Sequence, residues 1–165
     1  MINTNLAVRI ANRSDQTAIA NLIYFEAHVH RHLDWRGPLE WLGTQEYWVL
    51  EQNNSIVAAL ACPPDPVGVA WLRLFAHSAD LTLALAWKSL WENAKTSLVT
   101  RDLRVAAITV ADWFCELLLE SGFSCNQQIV VLEHRLVTIQ RRPIPTNLII
   151  QAMTCLLYTS DAADE

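Results

Sequence analysis

The run Ile56-Val57-Ala58-Ala59-Leu60-Ala61-Cys62 carries no polar side chain. On a strand successive side chains point to opposite faces, so this run is apolar on both. It reads as a central strand of a sheet that is covered on its two sides. Asn53-Asn54, just before it, is a hairpin pair that tolerates positive φ, and Tyr47 to Gln52 is the partner strand. Pro63-Pro64-Asp65-Pro66 with Gly68 is a loop, and Val69 to Phe75 reads as the third strand of this meander.

Helical spacing lies on either side of the meander. Ala7 to Ile10 is a short apolar strand, and Asn12-Arg13-Ser14-Asp15 is a turn and helix start with Ser14 or Asp15 as N-cap. Ala18, Ile19, Leu22 and Ile23 then predict a helix to about His30, and Leu39 to Gly43 one further helical turn. Leu83, Trp87, Leu90, Trp91, Ala94 and Leu98 form a single stripe, which predicts a helix over Asp80–Leu98. Val105 to Val110 reads as a short buried strand. Asp112 to Ser121 reads as a helix closed by Gly122 at C′, and Asn126 to Leu136 as a long strand. A meander followed by β-α-β-α-β is not doubly wound. The expected fold class is α/β (α+β), with a mixed, largely antiparallel central sheet and helices on both faces.

Composition removes several function classes. A chain of 165 residues with 52% hydrophobic and 18% charged residues holds enough core for one folded domain and is no disordered polar chain. A net charge of −5 opposes binding driven by phosphate neutralisation, so no nucleic-acid partner is expected. No apolar stretch approaches a bilayer span, and Met1 to Leu6 lacks a charged segment followed by an apolar one, so no membrane partner and a cytoplasmic location are expected.

The end of the chain stands apart. Cys155 to Glu165 read CLLYTSDAADE, which resembles a translated sequencing-library adapter, and this tail at 155–165 is expected to be non-native. Without it the cysteines are Cys62, Cys115 and Cys125. Three cannot all pair, which favours a reducing compartment, and none has metal-type spacing.

Three stretches together resemble the GNAT superfamily of acyl-coenzyme A-dependent N-acetyltransferases, over roughly Leu6 to Leu136. Arg9-Ile10-Ala11-Asn12-Arg13-Ser14-Asp15 matches the family opening R-x-A-x-x-x-D. Val69 to Phe75 with the helix over Asp80–Leu98 matches the fourth strand and the acetyl-CoA helix. Val105 to Val110 and the helix ending Glu120-Ser121-Gly122-Phe123 match the fifth strand and the helix that closes on Gly-Phe. The resemblance implies transfer of acetyl from acetyl-CoA to the amine of a small molecule or peptide. It puts the coenzyme positions at Leu74, Ala76, Thr82 and Ala84.

The family loop R-x-x-G-x-G/A offers backbone N–H groups to the pyrophosphate. Here its arginine position is Ala79 and its glycine positions are Thr82 and Ala84, while Asp80 brings a carboxylate to the anion's place. The family's thiolate-protonating tyrosine falls on Leu118 and its helix-start asparagine on Ala111. The expectation is a GNAT fold that has lost its own catalysis, with no catalytic residue assigned. Ile150 to Thr154 aligns with Val8 to Asn12, as if a second unit began there. The expected organisation is a GNAT-like domain at 1–138, a linker at 139–147, and at 148–154 the start of a truncated C-terminal GNAT unit, the implied partner. Acetyl-CoA is then expected in the full protein.

His28, His30 and His32 with Asp34 form H-x-H-x-H-x-D, and on a strand all four share one face. Three readings stay open: a polar loop after the first helix, a metal site, or, with Trp35, the lining of a substrate cleft. No metal is assigned. Trp41 and Trp48 read as cleft lining or as packing. Glu26 and Glu46 are the nearest carboxylates for a general base, or else solvated surface charges. The runner-up function is a non-enzymatic binding module on the same scaffold.

Overall fold

The Asn53-Asn54 pair turns the chain by lying in the left-handed region twice, at φ 50° and 65°. Two such residues match the twist of the strands that they join. The structure is a computed structural model that describes residues 6–34 and 36–129. The pair connects β3 (Tyr47–Gln52) to β4 (Ser55–Ala61). Replacing Asn54 by valine is expected to destabilise the domain by about 1–2 kcal/mol, since a β-branched residue resists this conformation. Asn54→Gly should stay within about 0.5 kcal/mol in the same urea titration.

β4 is the interior strand that its apolar run requires, with Ala58 to Ala61 fully buried. It pairs with β3 on one side and with β6 (Leu74–His77) on the other. β1 (Leu6–Ile10) lies outside β3, and β2 (Val29–Arg31) lies outside β6. All four pairings are antiparallel. A bulge leaves Val57 unpaired between Ala58 opposite Leu50 and Ile56 opposite Glu51. A second, two-stranded sheet pairs β5 (Val69–Trp71) in parallel with β7 (Arg104–Ala106). The mixed, largely antiparallel sheet is as the sequence predicts.

The five-stranded sheet is covered on both faces. Ile19, Leu22 and Ile23 of α1 (Gln16–Phe25) pack with Ala59, Ala61, Leu74 and Ala76. On the opposite face, Trp87, Leu90 and Trp91 of α2 (Leu83–Val99) pack with Leu60 and Phe75, and Phe114 of α3 (Asp112–Glu120) joins them. α3 ends as its glycine predicts. Gly122 has φ 90°, its N–H bonds to Leu119 O, and Phe123 N bonds to Leu118 O, which closes the helix and sets Phe123 against Trp91.

Several boundaries differ from the sequence reading. The first helix stops at Phe25, and His30 lies in β2 instead. Asp15, one of the two expected N-caps, holds that position on α1 without a side-chain capping bond, because its carboxylate returns to Asn12 N; Asn12 in turn caps the short 3-10 turn Arg13–Asp15 by accepting from Ser14 N. The stretch Val69–Phe75 is two strands. The strand expected over Val105–Val110 is paired only at Arg104–Ala106. The helix expected over Asp80–Leu98 spans Leu83–Val99, with Thr82 at its N-cap position.

Residues up to Asn126 form one compact unit and Gln127–Glu165 another, of which only 127–129 are described. Residues 126–129 carry no regular structure, and the rest of the strand expected over Asn126–Leu136 lies outside the described residues. So do Trp35, the domain end at 138, the linker, the segment at 148–154 and the tail. Among the described residues no helix is long and apolar enough to cross a membrane.

Candidate functional site

The loop between β6 and α2 is where the resembled family binds its coenzyme, and its local bonds follow from its side chains. Leu81 N bonds back to Ser78 O, and Asp80 N to Ser78 Oγ, so Asp80 is held in a turn ahead of the helix. Thr82 is extended and passes its carbonyl to Ala86 N, but its side chain makes no capping bond. Thr82 and Ala84 are both exposed. Ala79 N, in the middle of the loop, donates to Glu26 Oε2 at 3.0 Å. Glu26 therefore serves this amide.

Beside the loop opens a cleft of about 660 Å³ between α1 and the β3–β4 hairpin, lined by Arg9, Asp15, Glu26, Glu51 and Asp80 among others. Its single guanidinium is already engaged. Arg9 forms two bonds to Asp15, at 2.7 and 2.9 Å, and two to Glu51 Oε1, at 2.6 and 3.0 Å. The bonds from Arg9 hold the Asp15 carboxyl below its ordinary pKa. The R-x-A-x-x-x-D opening is thus a structural clasp between β1 and the turn before α1. The remaining carboxylates, Glu26 and Asp80, leave the cleft acidic, so a pyrophosphate entering it would meet like charge.

Leu74 and Ala76 lie on β6, fully buried, and their strand edge is paired with Arg31 and Val29 of β2. The partner edge is divided. Leu72 N bonds to Ala106 O and Arg73 N to Ala61 O, both at 2.8 Å, so the chain leaves one sheet and enters the other between these two residues. The histidines meet this division. His30 is buried, donates from Nε2 to Leu72 O at 3.0 Å, and stacks on Phe114 with ring centres 4.0 Å apart. Burial lowers its pKa to about 4, against a carbonyl bond that works the other way, so the ring is neutral at pH 7. His28 stacks on His77 and meets the edge of Trp113. His32 packs beside Trp71, and burial first, then Arg73, lowers its pKa while Asp34 opposes them.

Of the three histidines only His30 lies within β2; His28 and His32 flank it, and each is engaged with a different ring. Among the described residues no group of three or more His, Cys, Asp or Glu is placed to hold a metal ion. Trp41 is core, under Arg36 and Arg73 at 4.7 and 5.3 Å, and Trp48 is buried on the opposite face of the sheet. Glu46 accepts from Ser97 Oγ and pairs with Arg101, so it ties down the end of α2. Leu118 is buried in the core, and Ala111 caps α3 without a side-chain bond. His77, Trp113 and the Arg73–Asp34 ion pair escaped the sequence reading. His77 is buried with Nε2 unpartnered among the described residues, and its place at the end of an apolar run was the one available signal.

Comparison with known proteins fixes the class of fold. The chain matches an acetyltransferase of Trypanosoma brucei at TM-score 0.55 and 14% identity, over 79% of this chain and 100% of that one. A ribosomal-protein-alanine N-acetyltransferase from Brucella melitensis biovar Abortus 2308 matches at TM-score 0.55 and 15% identity, over 78% and 99%. An aminoglycoside N-acetyltransferase solved with CoA matches at TM-score 0.52 and 11% identity, over 81% and 97%. No family model and no curated protein matches. The chain has the fold of the GNAT acetyltransferases.

Proposed function

We propose that this chain is part of a GNAT-type N-acetyltransferase, acting from acetyl-CoA on the amine of a small molecule or peptide, and that the described unit is its non-catalytic half. In this reading the unit positions substrate or braces a C-terminal GNAT unit of the same cytoplasmic chain. The observation that carries it is the bond from Ala79 N to Glu26: an amide of the coenzyme loop is already held by a carboxylate of the same chain. The absent arginine and glycines, and the acidic cleft alongside, point the same way. The positions at Leu74, Ala76, Thr82 and Ala84 then no longer form a working coenzyme site, and His28, His30, His32 and Trp35 belong to the region facing the substrate.

Calorimetric titration of the 165-residue chain with acetyl-CoA, followed by mass spectrometry on a panel of amines, tests this reading. The expected result is no saturable binding at micromolar concentration and no acetylated product. Micromolar binding with turnover would sink it. Reading the gene onward from Thr154 separates the two classes of function. A second unit with an intact R-x-x-G-x-G/A loop supports the tandem enzyme, and a stop codon supports a lone binding module.

A further inference from the structure

Three arginines meet at the turn after β2, away from any role in the acetyl-transfer reading. Arg31 ends β2, Arg36 lies five residues further on, and Arg73 directly precedes β6. With His32, Asp34 and Trp41 they line a cavity of about 20 Å³. That is room for about one or two water-sized groups.

Two polar atoms of this lining are buried and without a partner among the described residues, Arg73 Nε and His32 Nδ1. The rest of the Arg73 guanidinium is engaged: Nη1 pairs with Asp34, and Nη2 donates to Asp65 O at 3.3 Å. Asp34 is used on both oxygens, since Oδ1 also accepts from Arg36 N at 3.3 Å. It therefore has no oxygen to spare for Arg73 Nε. Buried donors are nearly always satisfied in folded proteins, so an unserved edge of a guanidinium beside a cavity calls for an acceptor.

The charge of the lining asks for the same thing. Three guanidiniums face one carboxylate, the reverse of the acidic cleft beside the coenzyme loop. Asp65 approaches Arg36 at 3.8 Å in an exposed pair, and Arg31 has no ion pair among the described residues, so the balance stays positive. Trp41 lies under both Arg36 and Arg73, at 4.7 and 5.3 Å, and so holds two like charges at one place. The His32 ring feels the result, because Arg73 acts on it more strongly than Asp34 does.

We propose that this cavity is a binding site for one carboxylate group, with Arg73 Nε and His32 Nδ1 as its buried donors and the exposed Arg31 and Arg36 as countercharge on the solvent side. The planar fork of arginine matches a carboxylate, and Asp34 already occupies one side of it in that way. His32 donates in its Nδ1–H tautomer. A phosphate, with four oxygens, is too large for the space. The assignment rests on no part of the acetyl-transfer reading.

The test is a nuclear magnetic resonance titration of the nitrogen-15-labelled full chain with acetate, at pH 7 and constant ionic strength. The Arg73 Nε–H and His32 ring resonances should shift saturably, with half-saturation at about 1–10 mM. Arg9 Nε, held by Glu51 at 3.0 Å, should stay unmoved. Acetamide, the neutral isostere, and inorganic phosphate should give no saturable shift at these atoms. Arg31→Gln and Arg36→Gln change exposed side chains, and each should weaken acetate about three- to tenfold. Arg73→Lys keeps a charge but removes Nε, and should abolish saturation; the two exposed variants decide the matter if this one fails to fold.

No saturable shift overturns the proposal, because the cavity would then take water alone. An equal response to acetamide or to phosphate overturns the choice of a carboxylate. Acetate affinity unchanged in both exposed variants places the anion elsewhere and overturns the site.

Discussion

Trp87→Ala is expected to destabilise the domain by about 3–5 kcal/mol, as for a large buried aromatic. Trp87 is 3% exposed, on the face of α2 that meets the sheet. Its ring stacks on Trp91 at 5.4 Å and meets Phe75 and Phe114 edge-on at 5.2 and 5.8 Å. The indole N–H donates to Ser121 Oγ at 2.7 Å, so this one side chain joins α2, β6 and the end of α3. Truncation leaves a cavity lined by rings and a half-buried hydroxyl that has lost its donor. Urea unfolding at neutral pH measures the effect, and a loss below about 1 kcal/mol would show that α2 does not dock through this residue. Trp87→Phe keeps the stack and loses the bond, so it should fall between the two.

Acid should weaken the fold through His30. Its pKa is about 4 in the folded protein, against 6.5 for an unperturbed histidine, so between these values the unfolded chain binds a proton that the folded one refuses. The stabilisation is complete above pH 6.5 and is lost as pH falls towards 4, by about 3 kcal/mol over the whole window. His32 is shifted in the same direction and adds to the loss, whereas the depressed Asp15 acts at lower pH, as its carboxyl protonates. The groups around the ring include His32 and the Leu72 carbonyl. Urea midpoints at about pH 7 and about pH 4.5 should differ clearly for the native chain. In His30→Phe the neutral-pH value should fall modestly, for want of a donor to Leu72 O, and the pH dependence should flatten. A slope unchanged in that variant would assign the acid sensitivity to another group.

What could be read from the sequence was local. Asn53-Asn54 fixed a turn because two adjacent residues had to take positive φ, and few types do so cheaply. Ile56 to Cys62 named the central strand because its two apolar faces leave no side for water. The tryptophan stripe of α2 and Gly122 with Phe123 were legible for the same reason: spacing within a few turns settles them. Arg9 and Asp15 could be matched to a family opening, although their role as a clasp depends on Glu51, which β3 brings alongside.

The tertiary structure decided what depends on partners far away in the chain. Val69 to Ala76 is apolar except at Arg73, and a single charged residue in such a run does not mark the point where one strand becomes two. Ala106 and Ala61, drawing the amides of Leu72 and Arg73 in different directions, make that division. His28 to Arg31 has no strong strand pattern of its own and becomes a strand only because β6 offers an open edge. Glu26 could not be placed on Ala79 N from a separation of 53 residues. The sequence by itself determined which segments fold and which of their faces are apolar, because side-chain spacing and turn chemistry are short-range. The pairing of β2 with β6 came only with the tertiary structure, because backbone pairing between distant segments is specified by which edges remain unfilled.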